Sequence, residues 1–356
     1  MKNSWFTKAL VVLLAVSMLA GCTTKPAATG SDAEPKQAQT GTAADPEVKS
    51  DALALASPTN VHFACGSSGG TMYVYCGGVA SVCKKAIKNM DVMVEATGGG
   101  GANVEMLKTG EVDMAIVDAS QVYEKFYGIN LAEGEKTEDY ANMRTLIPTY
   151  MHHYILFTTT DTGIQTVEQC AGLDIPVGPL GGSGDACQKA VFNTLDIPYT
   201  MLSGKWNDCV TDLADGRVKA ATVSTGHPSS PITDLETKRD VVYLELTDEQ
   251  RAKINEVYPY YLDTFIPKGM YRSMTEDYHT VGNWVCLFVT TEMSDEVAYA
   301  ITKAVMENHD DMLAAHAAAK YTIPENAAQL PLPLHPGAIK YYEEVGIQIP
   351  DNLKVG

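Results

Sequence analysis

Basic side chains are scarce in this chain: 26 Lys and Arg face 44 Asp and Glu, leaving a formal charge of −18. A surface that acidic repels phosphate backbones instead of releasing their counterions, which excludes nucleic-acid binding as a function class. Long apolar runs are missing too. The longest, Ala9–Ala20, falls short of the ~20 residues that a spanning helix needs. No C-x-x-C occurs, and no His stands at zinc-ligand spacing from two cysteines, so no metal is expected. No Gly-Lys-[Ser/Thr] follows a glycine-rich loop, and Gly98–Gly101 lacks the spacing of a dinucleotide fingerprint. No cofactor is expected either.

What remains is the composition of a folded protein, with 356 residues that are 45% hydrophobic and contain 29 Gly and 17 Pro. Residues 1–22 read as a signal peptide: Lys2 and Lys8, an apolar stretch, then Leu19-Ala20-Gly21-Cys22. Leu-Ala-Gly-Cys resembles the bacterial lipobox, which implies a lipid on Cys22 and cleavage before it. Residues 23–57 hold almost no large apolar side chain and read as a disordered tether. About 35 flexible residues reach roughly 30–35 Å, enough to hold a domain off a membrane. Bases and acids balance over residues 1–57, so the negative charge belongs to the folded part.

Seven cysteines remain: Cys65, Cys76, Cys83, Cys170, Cys187, Cys209 and Cys286. The odd number leaves at least one free. Cys76 and Cys83 share a helical stripe, and two turns of helix hold their Cα atoms ~10.5 Å apart, past the ~7 Å limit for a bridge. Most are read as small core residues, with any pairing among the others left open.

From Val61 onward, short apolar runs alternate with amphipathic segments. Strands are expected at 61–65, 91–97, 112–117, 154–159, 174–177, 218–224, 241–246 and 284–290; helices at 71–88, 102–109, 185–195, 206–215 and 294–319. This alternation predicts an α/β protein with largely parallel sheets flanked by helices. The pattern restarts midway. Gly66–Thr71 and Gly178–Asp185 each follow a strand and open a helix. Two lobes are expected, 58–160 with 270–356 and 161–269, with the crossover at Asp161-Thr162-Gly163 and a cleft between them.

Gly66-x-Ser68-x-Gly70 fits a nucleophile elbow, so a serine hydrolase built on Ser68 is the alternative reading. Against it, no later Asp and His have a recognisable setting. The same residues suit binding better: glycines let backbone N–H groups approach a ligand, hydroxyls add donors, and helix N-termini favour a carboxylate. Asn103 reads as a helix cap or a ligand contact, His227 as a ligand donor or a buried turn-former. His309 and His316 share a helical face and read as solvated. The tyrosines at 258–261 and 341–342 read as packing.

Residues 61–356 resemble the TAXI group of extracytoplasmic solute receptors, the binding proteins of TRAP (tripartite ATP-independent periplasmic) transporters. The likeness runs through Gly66-Ser67-Ser68-Gly69-Gly70-Thr71-Met72-Tyr73, Thr97–Asn103, Gly110-Glu111-Val112-Asp113-Met114-Ala115 and Gly178–Gly184. It continues through Gly226-His227-Pro228, Ile266–Tyr271, Leu334–Ala338 and Tyr341–Gly346. The resemblance implies a two-lobe periplasmic-binding-protein-like (type II) clamshell. Such a protein would be no enzyme but a lipid-anchored, extracytoplasmic, monomeric receptor that delivers a small solute to a TRAP permease. It implies ligand contacts from Ser67, Ser68, Gly70, Thr71, Tyr73, Asn103, Gly182, Ser183, Gly184 and His227. Family ligands lean toward glutamate and related dicarboxylates. Asp118 stands where the family usually has Gln, and Asp185 where it usually has Thr. Two carboxylates at a cleft oppose a bare diacid, so an amino acid or a related compound is the expected ligand.

Overall fold

The computed structural model describes residues 53–68, 70–129 and 131–354. The signal peptide, Cys22 and most of the expected tether lie outside the described residues. The elements run β1 (Leu53–Ala64), α1 (Thr71–Ala86), β2 (Ile87–Glu95), α2 (Gly100–Thr109), β3 (Met114–Asp118), α3 (Ala119–Phe126) and β4 (Met143–Thr159). They continue β5 (Asp174–Pro176), α4 (Ser183–Thr194), β6 (Thr200–Leu202), α5 (Trp206–Ala214), β7 (Ala220–Thr225), α6 (Ser230–Lys238) and β8 (Val241–Tyr243). Last come α7 (Asp248–Val257), β9 (Leu262–Ile266), β10 (Tyr278–Thr290), α8 (Asp295–Glu307), α9 (His309–Ala315) and α10 (Pro336–Glu344).

The tether ends earlier than its composition implies. Leu53 and Ala54 already pair with Ile87 and Lys88, and β1 resumes its pairing with β2 after a register shift before Thr59. Ladder hydrogen bonds need only backbone, so a strand poor in large side chains escapes a reading based on composition. In α1 the buried stripe is Tyr75, Cys76, Val79, Val82 and Cys83, at three- and four-residue spacing.

β4 decides the architecture. It has 17 residues, all but one of them buried, whereas the sequence reading begins it at Tyr154. Its first part pairs with β10 as far as His153, and its second part with β7 and β8. On β10 the exchange of partners falls at Gly282, where pairing passes from β9 to β4. Each crossing is thus a continuous strand, and Asp161-Thr162-Gly163 is only a short turn past the end of β4.

The main sheet has the order β2-β1-β3-β10-β4-β7, with β8 added to β4 and β9 to β10; β5 and β6 form a second, small sheet. The pairings of β1 with β2 and β3 are parallel, but β4 and β10 pair with each other and with every neighbouring strand antiparallel. The sheet is therefore mixed, not largely parallel. The chain leaves the first core along β4 and returns along β10, and an outgoing and a returning strand side by side must oppose each other. Strand alternation then feeds two further cores: Tyr154 and Leu156 face one with Cys187 and Phe192, Ile155 and Phe157 the other with Val210 and Ile232. A mixed sheet flanked by helices and crossed by two long strands is the periplasmic-binding-protein-like α/β fold.

The helix expected over 294–319 is broken. At Asn308 the backbone leaves the helical region (φ −109°, ψ 43°), and its side-chain amide donates to the Ala304 carbonyl at 2.8 Å. A short amide side chain that competes for the backbone ends a helix where a hydrophobic stripe alone would continue it. All seven cysteines among the described residues are free and buried, so the pairing left open above does not occur there. Burial pushes the Cys83 thiol up to about 12.

Candidate functional site

Three loops rich in glycine converge on one cavity of about 130 Å³, and each opens a helix. The N-caps are Gly70 for α1, Gly99 for α2 and Gly182 for α4, and none has a side chain that could accept from the first turn. Two of the loops are built alike. Gly70 N–H donates to Ser67 O and Gly182 N–H to Pro179 O, each at 3.0 Å, so a turn precedes each helix. The N–H groups of three first turns are thereby left for a ligand. At Gly184 a Cβ would come within 2.4 Å of the Val177 carbonyl oxygen, so the loop can lie this close to its strand only with glycine.

The remaining lining is neutral. Ser67, Thr71, Ser183, Ser224 and Thr225 supply hydroxyls, while Met72, Val177, Val223 and Trp206 supply apolar walls. The Trp206 indole N–H is buried without a partner. Among the described residues the lining contains no Asp, Glu, Lys or Arg, and its one titratable side chain is His152.

His152 lies where the sheet passes between cores. It pairs with Asn283 across β4 and β10, two residues from where Val285 pairs with Asp118 at the end of β3. Its Nδ1 is 3.0 Å from Asp118 Oδ2, the Ser120 hydroxyl donates to Asp118 Oδ1 at 2.9 Å, and the Asn283 amide donates to the same oxygen. All three partners of the carboxylate are buried. Asp118 is therefore fully used behind His152, which leaves the ring's Nε2 edge to the cavity. The sequence reading found no setting for such an Asp–His pair, because β3 and β4 are brought together only by β10 between them in the sheet.

Six expected contacts line the cavity: Ser67, Gly70, Thr71, Gly182, Ser183 and Gly184. The other six do not. Ser68 is exposed and Tyr73 half-buried, both outside the lining. Asn103 is neither cap nor contact; its amide donates to the carbonyls of Cys65 and Ile116, the latter at 2.7 Å, and ties α2 to the ends of β1 and β3. Asp118 touches the cavity only through His152. The Asp185 carboxylate accepts from Gly181 N–H at 2.8 Å and from Lys189 Nζ at 3.0 Å, fixing its own loop and facing a different cavity. His227 Nδ1 is 2.5 Å from the Tyr271 hydroxyl, and its ring packs 5.3 Å from that of His153 at a separate small void.

Of the residues the sequence reading missed, Gly98–Gly100 carried a signal in their glycine run. His152 and Trp206 carried none. The tyrosine clusters do pack, with Tyr260, Tyr261, Tyr341 and Tyr342 buried. His309 is held instead by the Thr322 carbonyl at 3.1 Å, and His316 accepts from Ala318 N–H.

A family model described as "NMT1-like family" matches residues 63–346, which includes all three loops and the Asp118–His152 pair. The chain belongs to the NMT1-like family. Several solved structures are similar in outline. An ancestral arginine-binding protein bound to arginine is 12% identical, with 73% of this chain and 97% of that one covered and a TM-score of 0.46. The substrate-binding protein of an amino acid ABC transporter is 10% identical over 73% and 99% (TM-score 0.43). A structure from work on glutathione import in Streptococcus mutans is 13% identical over 83% and 98% (TM-score 0.46). At such identities no ligand passes from them to this NMT1-like protein.

Proposed function

We propose that this protein is an extracytoplasmic receptor that captures a small carboxylate-bearing solute and hands it to a membrane transporter, without turnover. The observation that carries the reading is the convergence of three uncapped helix N-termini on one cavity free of carboxylates. The resemblance to TAXI receptors makes a TRAP-type permease the proposed acceptor. Two lobes, joined where β4 and β10 change partners at His153 and Gly282, would close on the solute. Lipid on Cys22 would keep the receptor at the cell membrane, and a Cys22→Ala protein should then leave the membrane fraction.

The ligand expectation changes. An ammonium group was expected because Asp118 and Asp185 carry negative charge, yet Asp118 is engaged by His152 and Asp185 by Lys189. Only hydroxyl and carbonyl oxygens remain for an amino group, so the carboxylate is the feature the cavity selects, in amino acids or without them. A thermal-shift screen of acetate, succinate, 2-oxoglutarate, glutamate, arginine and spermidine tests this. Bound carboxylates should stabilise by about 2.7 kcal/mol at a hundredfold excess over Kd. Stabilisation by spermidine alone, or by none of the six, would overturn the proposal. The hydrolase reading has little support, since Ser68 lies outside the lining that His152 faces; labelling of Ser68 by a fluorophosphonate would revive it.

A further inference from the structure

We infer that His152 and Asp118 make solute capture a proton-coupled event, in which the arriving carboxylate brings a proton onto His152 Nε2. The inference rests on the carboxylate reading and deepens it. Nδ1 is committed to Asp118, so the tautomer and the ring plane are set and Nε2 is the nitrogen presented to the cavity. The ring has two possible charge states, whereas every other polar group in the lining has one.

Consider what faces the ring. Asp118 comes from the end of β3, Asn283 from β10, and the Tyr150 ring, 5.5 Å away, from the same strand. His153, His227 and Lys320 lie on the reverse side at the neighbouring void. Among the described residues Asp118 is the only carboxylate touching the imidazole, and one carboxylate balances one imidazolium. When a solute carboxylate arrives within hydrogen-bonding distance of Nε2, a second anion joins a site whose other walls are uncharged. An anion so placed favours the charged ring, and the uptake of one proton from solvent converts anion–neutral–anion into anion–cation–anion. Nothing is oxidised and no covalent bond other than N–H forms. On release the proton returns to solvent with the solute. Capture and release are thus each coupled to one proton exchanged with solvent at His152 Nε2.

The test is calorimetry of the full folded protein with whichever of acetate, succinate, 2-oxoglutarate and glutamate stabilises it most. All four carry ionised carboxylates at pH 7.5. Titrations in phosphate, HEPES and Tris give binding enthalpies whose slope against buffer ionisation enthalpy counts the protons taken up. For the wild type a positive slope is expected, of at most one proton per solute, with Kd rising as pH rises. His152→Gln keeps an amide N–H near the Nε2 position and should bind with a slope of zero. Asp118→Asn should lower the slope without moving Ser120 or Asn283. A zero wild-type slope overturns the inference without any variant, and if His152→Gln fails to fold, an unchanged slope in Asp118→Asn overturns it instead. Binding with zero slope, or an unchanged slope in folded His152→Gln, overturns proton uptake and leaves the receptor reading standing. If none of the four binds, the carboxylate reading falls and this inference falls with it.

Discussion

Neighbouring serines at the first loop have opposite fates, and a pair of substitutions separates them. Both are exposed, but Ser67 lines the cavity and Ser68 does not. Ser67→Ala should weaken binding of the stabilising carboxylate about fivefold, the loss of roughly 1 kcal/mol for one hydrogen bond, while Ser68→Ala leaves Kd unchanged. The reverse order, read by calorimetry, would return Ser68 to the site. A second residue-scale effect involves His153 and His227, whose Nδ1 and Nε2 respectively are buried without partners. Burial lowers both pKa values, that of His153 from 6.5 to about 3. Between those values the unfolded chain binds the proton and the folded one does not, so stability is complete above pH 6.5 and is lost as pH falls toward 3. Near pH 5 the loss attributable to His153 should be about 2 kcal/mol. Urea melts of the wild type and His153→Gln at pH 7.5 and pH 5 should show a smaller pH-dependent loss in the variant. Equal losses would mean that His153 is protonated in the folded state.

At the scale of elements, two glycines in similar sequence settings should respond in opposite directions to alanine. Gly77 lies on the exposed side of α1, and a Cβ there meets nothing within 4 Å. Gly77→Ala should stabilise the protein by about 0.5–1 kcal/mol, because glycine in a helix interior costs chain entropy without a packing return. Gly184 begins α4 against the Val177 carbonyl, so Gly184→Ala must push the second loop off its strand. Solute affinity should fall at least tenfold, with far-UV dichroism unchanged; tight binding by Gly184→Ala would show that this loop can move without consequence. The elements themselves were read unevenly. α1, α4 and α5 could be recognised from their stripes and preceding loops. β6 and β9 are largely exposed, with one buried residue between them, so neither carries the apolar run that marks a strand in sequence. α3, α6, α7 and α10 were also missed; α7 is mostly polar and holds its place through a Thr247–Gln250 capping box and Ile254.

For the molecule as a whole, contacts bridge the elements on either side of the cavity. Gln121 on α3 donates to the Gly181 carbonyl at 2.8 Å, and the Tyr260 hydroxyl donates to Glu124. If these contacts belong to a closed form that solute favours, the solute must bind that form more tightly than an open one. Small-angle scattering of residues 53–356 should therefore give a smaller radius of gyration with a saturating carboxylate than without. Gln121→Ala should enlarge the solute-free radius or leave it equal, and never shrink it. An unchanged wild-type radius with confirmed binding would mean a rigid pocket.

The sequence by itself determined the class of the fold, two of the three glycine loops and six residues of the cavity lining, because these are local: a strand, a turn and a helix start are encoded within a dozen neighbouring residues. It also determined that the domain is acidic and that no P-loop is present. Only the tertiary structure decided which way charge faces. Asp118 and His152 are 34 residues apart in sequence and meet because β10 inserts between β3 and β4, bringing Asn283 to the same point. Asp185 turned from candidate ligand to loop fastener because Lys189 sits one helical turn on and Gly181 N–H lies within its reach. A carboxylate counts for a solute only by what already occupies its oxygens, and those occupants come from strands and helix turns that no local pattern brings together.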